Sequence, residues 1–143
     1  MEPLEVGLPA PELRLADLEG KSVSLSDYRG QAILANIWAI WRTACRTEMP
    51  LLQEYYQDHR DRNFVVIGID AGDEVEDIGF HVKMYELTFP NWQDPNEDAL
   101  RAFEVLFLPS SYVIDRTGRV LLTWSGAANL ETLEQYVTPL LEK

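Results

Sequence analysis

The sequence predicts an α/β fold, in which a central mixed β-sheet carries helices on both faces and a β-hairpin stands at the N-terminus. Two apolar runs, residues 31–38 and 64–69, flank one helical stretch, which indicates parallel strands joined by a crossover helix. A tight turn at residues 115–118 joins two later strands as an antiparallel pair. The length of 143 residues suits a single domain, 1–143, with residues 1–30 as a hairpin extension.

The first half of the chain predicts the hairpin and the crossover unit. Residues 17–20 carry turn-forming types, and residues 22–25 alternate in the manner of a strand. Residues 31–38 are apolar on both faces, which is typical of a fully buried strand. A helix is predicted over residues 43–62, because apolar side chains recur there at spacings of four and three. Its stripe consists of Cys45, Met49, Leu52, Tyr56 and His59.

The second half predicts three helices and two strands after the buried strand 64–69. One helix spans about residues 74–87, and a shorter helix begins at residues 94–96. Strands follow at residues 111–114 and 119–124. Asn129 is the residue type that caps a helix, so a last helix is predicted after it. The core side chains of that helix are Leu130, Leu133, Val137 and Leu140.

Composition excludes several classes of function. Twelve Lys and Arg stand against 24 Asp and Glu, so the net charge is 12 − 24 = −12. Such a surface repels nucleic acid and anionic lipid. The longest apolar run, residues 32–41, is half of the roughly 20 residues that a membrane helix needs, so no membrane span is expected. The start of the chain has neither a positive n-region nor an apolar h-region, which predicts a cytoplasmic protein; removal of a signal peptide or anchor would instead make it extracytoplasmic.

One cysteine, Cys45, stands in the most informative stretch of the chain. A single thiol excludes an internal disulfide and a zinc site of several thiolates. The strand ending near Trp38 gives way to a helix within a few residues, so Cys45 falls in the first helical turn. Unpaired amides at a helix start favour thiolate, and Arg42 and Arg46 add positive charge. A reactive cysteine would suit this position.

Motifs along nearly the whole chain resemble the thioredoxin superfamily, specifically the TlpA-like thiol–disulfide oxidoreductases of the redoxin (AhpC/TSA) group. These motifs lie at residues 7–13, 17–30, 36–41, 45–50, and 108–120. The resemblance implies a thioredoxin-like fold, with roles in cell redox homeostasis or as an antioxidant. It also implies a cis-proline at Pro109, beside the active-site sulfurs.

The chain departs from the family pattern at one position. The family carries Trp-Cys-x-x-Cys where this chain has Trp41-Arg-Thr-Ala-Cys45. The resemblance therefore implies that Arg42 replaces the nucleophilic cysteine and that Cys45 is the resolving one. Dithiol exchange needs two sulfurs, and arginine is neither a nucleophile nor an electron carrier. The peroxidase branch also has its attacking cysteine at this position, so ordinary peroxiredoxin chemistry is not expected.

The resemblance assigns further residues to the site. Glu48 matches an acid that the family uses for proton transfer near its cysteines. Trp41 matches a solvent-facing position. The substrate-binding residues implied by the resemblance are Trp41, Thr43, Ala44, Leu108 and Pro109.

Each of these assignments has an alternative. Cys45 is either a small buried hydrophobic residue or a low-pKa single thiol. Glu48 is either the proton-transfer acid or, as the favoured alternative, a solvated carboxylate or a partner for Arg42 or Arg101. His59 and His81 lack metal-ligand partners at suitable spacing, so no metal is expected, and no motif calls for a cofactor.

Three functions are compatible with the sequence. In the first, dithiol exchange is lost and the old active-site surface binds an extended peptide or a protein thiol or disulfide partner. In the second, Cys45 acts as a monothiol with an external thiol. In the third, the protein is a structural module with no use for the site.

Overall fold

The computed structural model describes residues 2–142, and within them eight strands form one sheet with helices on both faces. The strands are β1 Leu4–Pro9, β2 Arg14–Asp17, β3 Ser22–Ser24, β4 Ala32–Trp38, β5 Phe64–Ala71, β6 Asn91–Asp94, β7 Ser110–Ile114 and β8 Arg119–Ser125. The helices are α1 Thr43–His59, α2 Val75–Met84, α3 Asp98–Ala102, α4 Leu130–Tyr136 and α5 Thr138–Leu141, and a 3-10 turn covers Leu25–Tyr28.

The sheet order is β1-β8-β7-β4-β5-β6-β2-β3. Strands β4, β5 and β6 run parallel, whereas β7, β8 and β1 on one side and the β2–β3 hairpin on the other pair antiparallel. The predicted mixed sheet, the crossover unit and the N-terminal hairpin are thereby confirmed. Every residue of β4 and β5 is buried, because separate apolar cores cover the two faces of the sheet.

Two strands were missed by the sequence patterns. Strand β6 reads Asn-Trp-Gln-Asp, which has no apolar run, and its burial comes from pairing with β5 and β2. Strand β1 contains Gly7 and Pro9, which interrupt a strand pattern, and its register against β8 shifts between Glu5 and Leu8. Both strands exist through long-range pairing rather than local preference.

Several helix predictions were inexact. Helix α1 ends at His59 rather than near residue 62, and α2 is shorter than predicted at both ends. The short helix begins at Asp98, because Asp94 ends β6 and accepts hydrogen bonds from the amides of Asp98 and Ala99. The last helix is divided at Val137, two residues before Pro139, although Asn129 caps it as predicted by accepting a bond from Thr132 N at 2.8 Å.

The core contains Tyr55 rather than the predicted Tyr56, which is only partly buried. The Tyr55 hydroxyl lies 2.8 Å from Thr138 Oγ1, so its polar end has a partner in the interior. Three of the four tryptophans are also buried, whereas Trp41 is exposed, as the resemblance implied. Within residues 2–142, no helix is both long and apolar enough to cross a bilayer.

Candidate functional site

The candidate site forms where three segments meet at the end of the sheet. Strand β4 ends at Trp38, α1 begins at Thr43, and the loop before β7 contains Leu108 and Pro109. Because β4 and β7 are paired neighbours, the start of α1 and this loop lie side by side. The Leu108–Pro109 peptide bond is cis, as the resemblance implied.

Arg42 connects the helix start to the loop. Its Nε and Nη2 both donate to the carbonyl oxygen of Leu108, at 3.1 and 2.9 Å. Its Cζ lies 5.5 Å from the centre of the Trp41 ring, within cation–π distance. The residue is half-buried and precedes the first helical residue, with extended backbone. Arg42 therefore occupies the backbone acceptor immediately before the cis-proline.

A groove of about 370 Å³ runs beside Arg42, lined by Trp41, Arg42, Leu100, Val105, Leu106, Phe107 and Leu108. Trp41, Leu106 and Phe107 are 65%, 88% and 62% exposed, which is unusual for adjacent large apolar side chains. Thr43 and Ala44 lie on the exposed first turn of α1, outside this lining, and Pro109 is the buried last residue of the loop before β7. The structure thus brings Trp41, Arg42 and Leu108 together as one surface.

Cys45 lies in the core below this surface and has no exposed area. Its amide donates to the Arg42 carbonyl at 3.1 Å, so it is in the first helical turn. Burial raises the pKa of its thiol to about 11. A hydrogen bond with the Ala39 backbone and the positive charge of Arg42 both lower this pKa, but their effect is smaller than that of burial. Of the two alternatives for this residue, the geometry favours the small buried hydrophobic one.

We therefore expect native Cys45 to react with iodoacetamide at pH 7 at least about 100-fold more slowly than a free cysteine, because little thiolate exists and the sulfur is covered. The rate is measured by mass spectrometry of quenched time points. In urea the rate should rise to that of a model cysteine peptide. A native rate within threefold of the peptide would contradict the burial argument.

Glu48 is buried, so the favoured expectation of a solvated carboxylate or an arginine partner was wrong. It is 1% exposed, and its oxygens accept bonds from Asn36 Nδ2 at 3.0 Å and from Ala128 N at 2.7 Å. Burial raises its pKa to about 7, although both bonds oppose the shift. Asn36 Nδ2 also donates to Ser111 Oγ at 3.0 Å. Glu48 thus joins α1 to β4 and to the segment before α4, and Asn36 extends the network to β7.

Sequence reasoning missed a second acidic group near the site, at the end of β5. Asp70 is fully buried and accepts a bond from Asp73 N at 3.2 Å, while Asp73 accepts one from Ile40 N at 2.8 Å, just before α1. Burial, followed by the neighbouring Asp73, raises the pKa of Asp70 to about 9. A carboxylate that ends an otherwise apolar buried strand was the available sequence signal.

The histidines show no grouping that suits a metal. His59 Nε2 lies 2.6 Å from Glu134 Oε1, while His81 Nδ1 lies 2.9 Å from the Asp77 carbonyl oxygen. Within residues 2–142, no group of three or more His, Cys, Asp or Glu side chains is arranged to hold a metal ion.

Comparison with known proteins gives a consistent family. The model of the AhpC/TSA family matches residues 6–122. The thiol-disulfide oxidoreductase ResA of Bacillus thuringiensis subsp. konkukian is 33% identical over 136 residues, which cover 95% of this chain and 79% of that protein. ResA of Bacillus subtilis is 26% identical over 136 residues, covering 95% and 76%.

Solved structures agree with this result. A DsbF homologue from Corynebacterium diphtheriae superposes with a TM-score of 0.85 at 26% identity, covering 98% of this chain and 94% of that one. A secreted thiol-disulfide isomerase from Corynebacterium glutamicum gives 0.89 at 19% identity, covering 100% and 93%, and this similarity concerns the fold alone.

The fold and the cis-proline site define a thioredoxin-like protein of the TlpA-like redoxin type. The chain belongs to the AhpC/TSA family, within the thiol–disulfide oxidoreductases of the thioredoxin superfamily.

Proposed function

We propose that this protein has lost dithiol exchange and uses the former active-site surface to bind an extended peptide segment of a partner protein. The observation that carries the proposal is Arg42 itself: at the position that the resemblance assigns to the attacking cysteine, a guanidinium is bonded to Leu108 O. The one thiol in the chain, Cys45, lies in the core behind it.

The need for two thiols in disulfide exchange supports its loss in this protein. A disulfide is reduced when a thiolate attacks one sulfur and a second thiol then releases the mixed disulfide, with two electrons passing to the substrate. Cys45 has no second thiol in its own chain and a thiol pKa of about 11. The same burial argues against the monothiol alternative, because an external disulfide must reach the sulfur.

The exposed apolar residues support binding. Trp41, Leu106 and Phe107 stand together at the groove, where their apolar area is available to a partner. An extended segment places alternate side chains on one face, so one of them can enter the groove while its neighbours point away. A purely structural module would have no use for this surface.

Two measurements test the proposal. We expect no insulin-disulfide reduction above background, and no difference between the native chain and Cys45→Ser. We also expect a capped, extended peptide with two leucines two residues apart to protect Trp41 from acrylamide quenching, because the other three tryptophans are buried. Turnover that disappears in Cys45→Ser would overturn the loss of exchange. Unchanged quenching with neutral and acidic peptides alike, at millimolar concentration, would overturn the binding role.

A further inference from the structure

The guanidinium of Arg42 is only partly used by its contact with the loop before β7. Arg42 already occupies the Leu108 carbonyl oxygen with Nε and Nη2. Among residues 2–142, Arg42 Nη1 has no protein acceptor. A ligand in the groove would therefore meet the unoccupied N–H groups of Arg42 Nη1, while the Leu108 carbonyl oxygen is already bonded.

The positive charge of Arg42 also favours an anionic ligand in the groove. Within the described range 2–142, Arg42 is the one charged side chain lining the groove, and the other lining residues are all apolar. A half-buried guanidinium beside apolar surface binds a carboxylate more strongly than an exposed one does, because less water competes for it. The chain as a whole carries −12 and repels anions at long range. A preference for acidic ligands would thus come from contact with Arg42 and not from the charge of the whole chain.

We propose that the groove selects a peptide segment bearing a carboxylate next to a large apolar side chain. The carboxylate pairs with Arg42 Nη1, and the apolar side chain packs against Trp41, Leu106 and Phe107. This inference rests on the proposed function, since it names the chemistry of the peptide that the same surface binds. The carboxylate is that of an acidic side chain within the extended segment.

The test uses three synthetic peptides of equal length and one readout, the protection of Trp41 from acrylamide. The first is capped at both ends and carries leucine and glutamate two residues apart, which places both on one face of an extended strand. The second has glutamine in place of glutamate. The third keeps the glutamine but has a free C-terminal carboxylate two residues after the leucine. We expect the first to bind about tenfold more tightly than the second. If only the third binds more tightly than the second, the side-chain carboxylate is overturned in favour of a C-terminal one.

Two matched variants test whether Arg42 causes the preference for the acidic peptide. Arg42→Gln should abolish the difference between the acidic and neutral peptides. Arg101→Gln makes the same change in net charge at an exposed arginine that pairs with Asp98, so it should preserve the difference. Equal binding of all three peptides to the native chain would overturn the carboxylate preference and leave the proposed function intact. A preference that survives Arg42→Gln would overturn the assignment to Arg42, and no binding of any peptide would overturn the proposed function itself.

Discussion

Arg42→Cys should form an internal disulfide with Cys45 and give the protein insulin-reducing activity. The two positions are three residues apart in one helical turn, and the Cys45 amide donates to the Arg42 carbonyl at 3.1 Å. The new thiol would be half exposed and would stand at the start of a 17-residue helix, where the helix dipole favours thiolate. Cys45 would then be the buried second sulfur that releases the mixed disulfide.

Mass spectrometry of the oxidised variant should show the loss of two hydrogens and no thiol open to alkylation after unfolding. Reduction by dithiothreitol should restore both thiols. Arg42→Ser removes the guanidinium without adding sulfur, and Arg42→Cys with Cys45→Ser adds sulfur without a partner. Neither control should turn over insulin. If Arg42→Cys stays fully reduced under oxidised glutathione, the correspondence of residues 42 and 45 with the family's cysteine pair is wrong.

The parts of the fold that the sequence predicts are those whose signals are local. Strands β4 and β5 are continuous apolar runs, and the turn between β7 and β8 is a short polar segment, so each is recognisable without its partner. Strand β6 has no such signal, because its burial depends on β5 and β2 covering its edges. Pairing between distant segments is a property of the assembled sheet.

The candidate site also has parts that local sequence signals predict and parts that depend on contacts between distant segments. The start of α1 was predicted at Thr43, but the contact of Arg42 with Leu108 joins residues 66 positions apart. From the sequence, only the resemblance to a family indicated that these two segments are neighbours. For Glu48 the prediction was wrong although a local signal was available. Residue type predicts a solvated carboxylate, whereas its spacing of three from Cys45 places it on the buried face of α1, where Asn36 and Ala128 stabilise it.

Asp70→Asn should stabilise the protein at pH 8 and flatten the dependence of its stability on pH. In the unfolded chain this carboxyl ionises near 3.8, whereas in the folded chain its pKa is raised to about 9. Between those values unfolding releases a proton, so the free energy of unfolding falls as the pH rises from about 4 to 9. Asparagine is neutral at every pH, so unfolding releases no proton at this position in the variant. We expect a gain on the order of 5 kcal/mol at pH 8 and little change near pH 4.

Urea unfolding followed by circular dichroism at pH 4.5, 6.5 and 8 would measure this difference. Some slope should remain in Asp70→Asn below neutral pH, because Glu48 also has a raised pKa, of about 7. Between about pH 4.5 and 7 the folded chain keeps the Glu48 proton and the unfolded chain releases it. Asp58→Asn makes the same change in net charge at an exposed carboxylate, so it isolates general charge repulsion. Parallel pH profiles for Asp70→Asn and the native chain would show that Asp70 is ionised in the folded protein. A profile for Asp58→Asn as flat as that of Asp70→Asn would attribute the effect to net charge instead of burial.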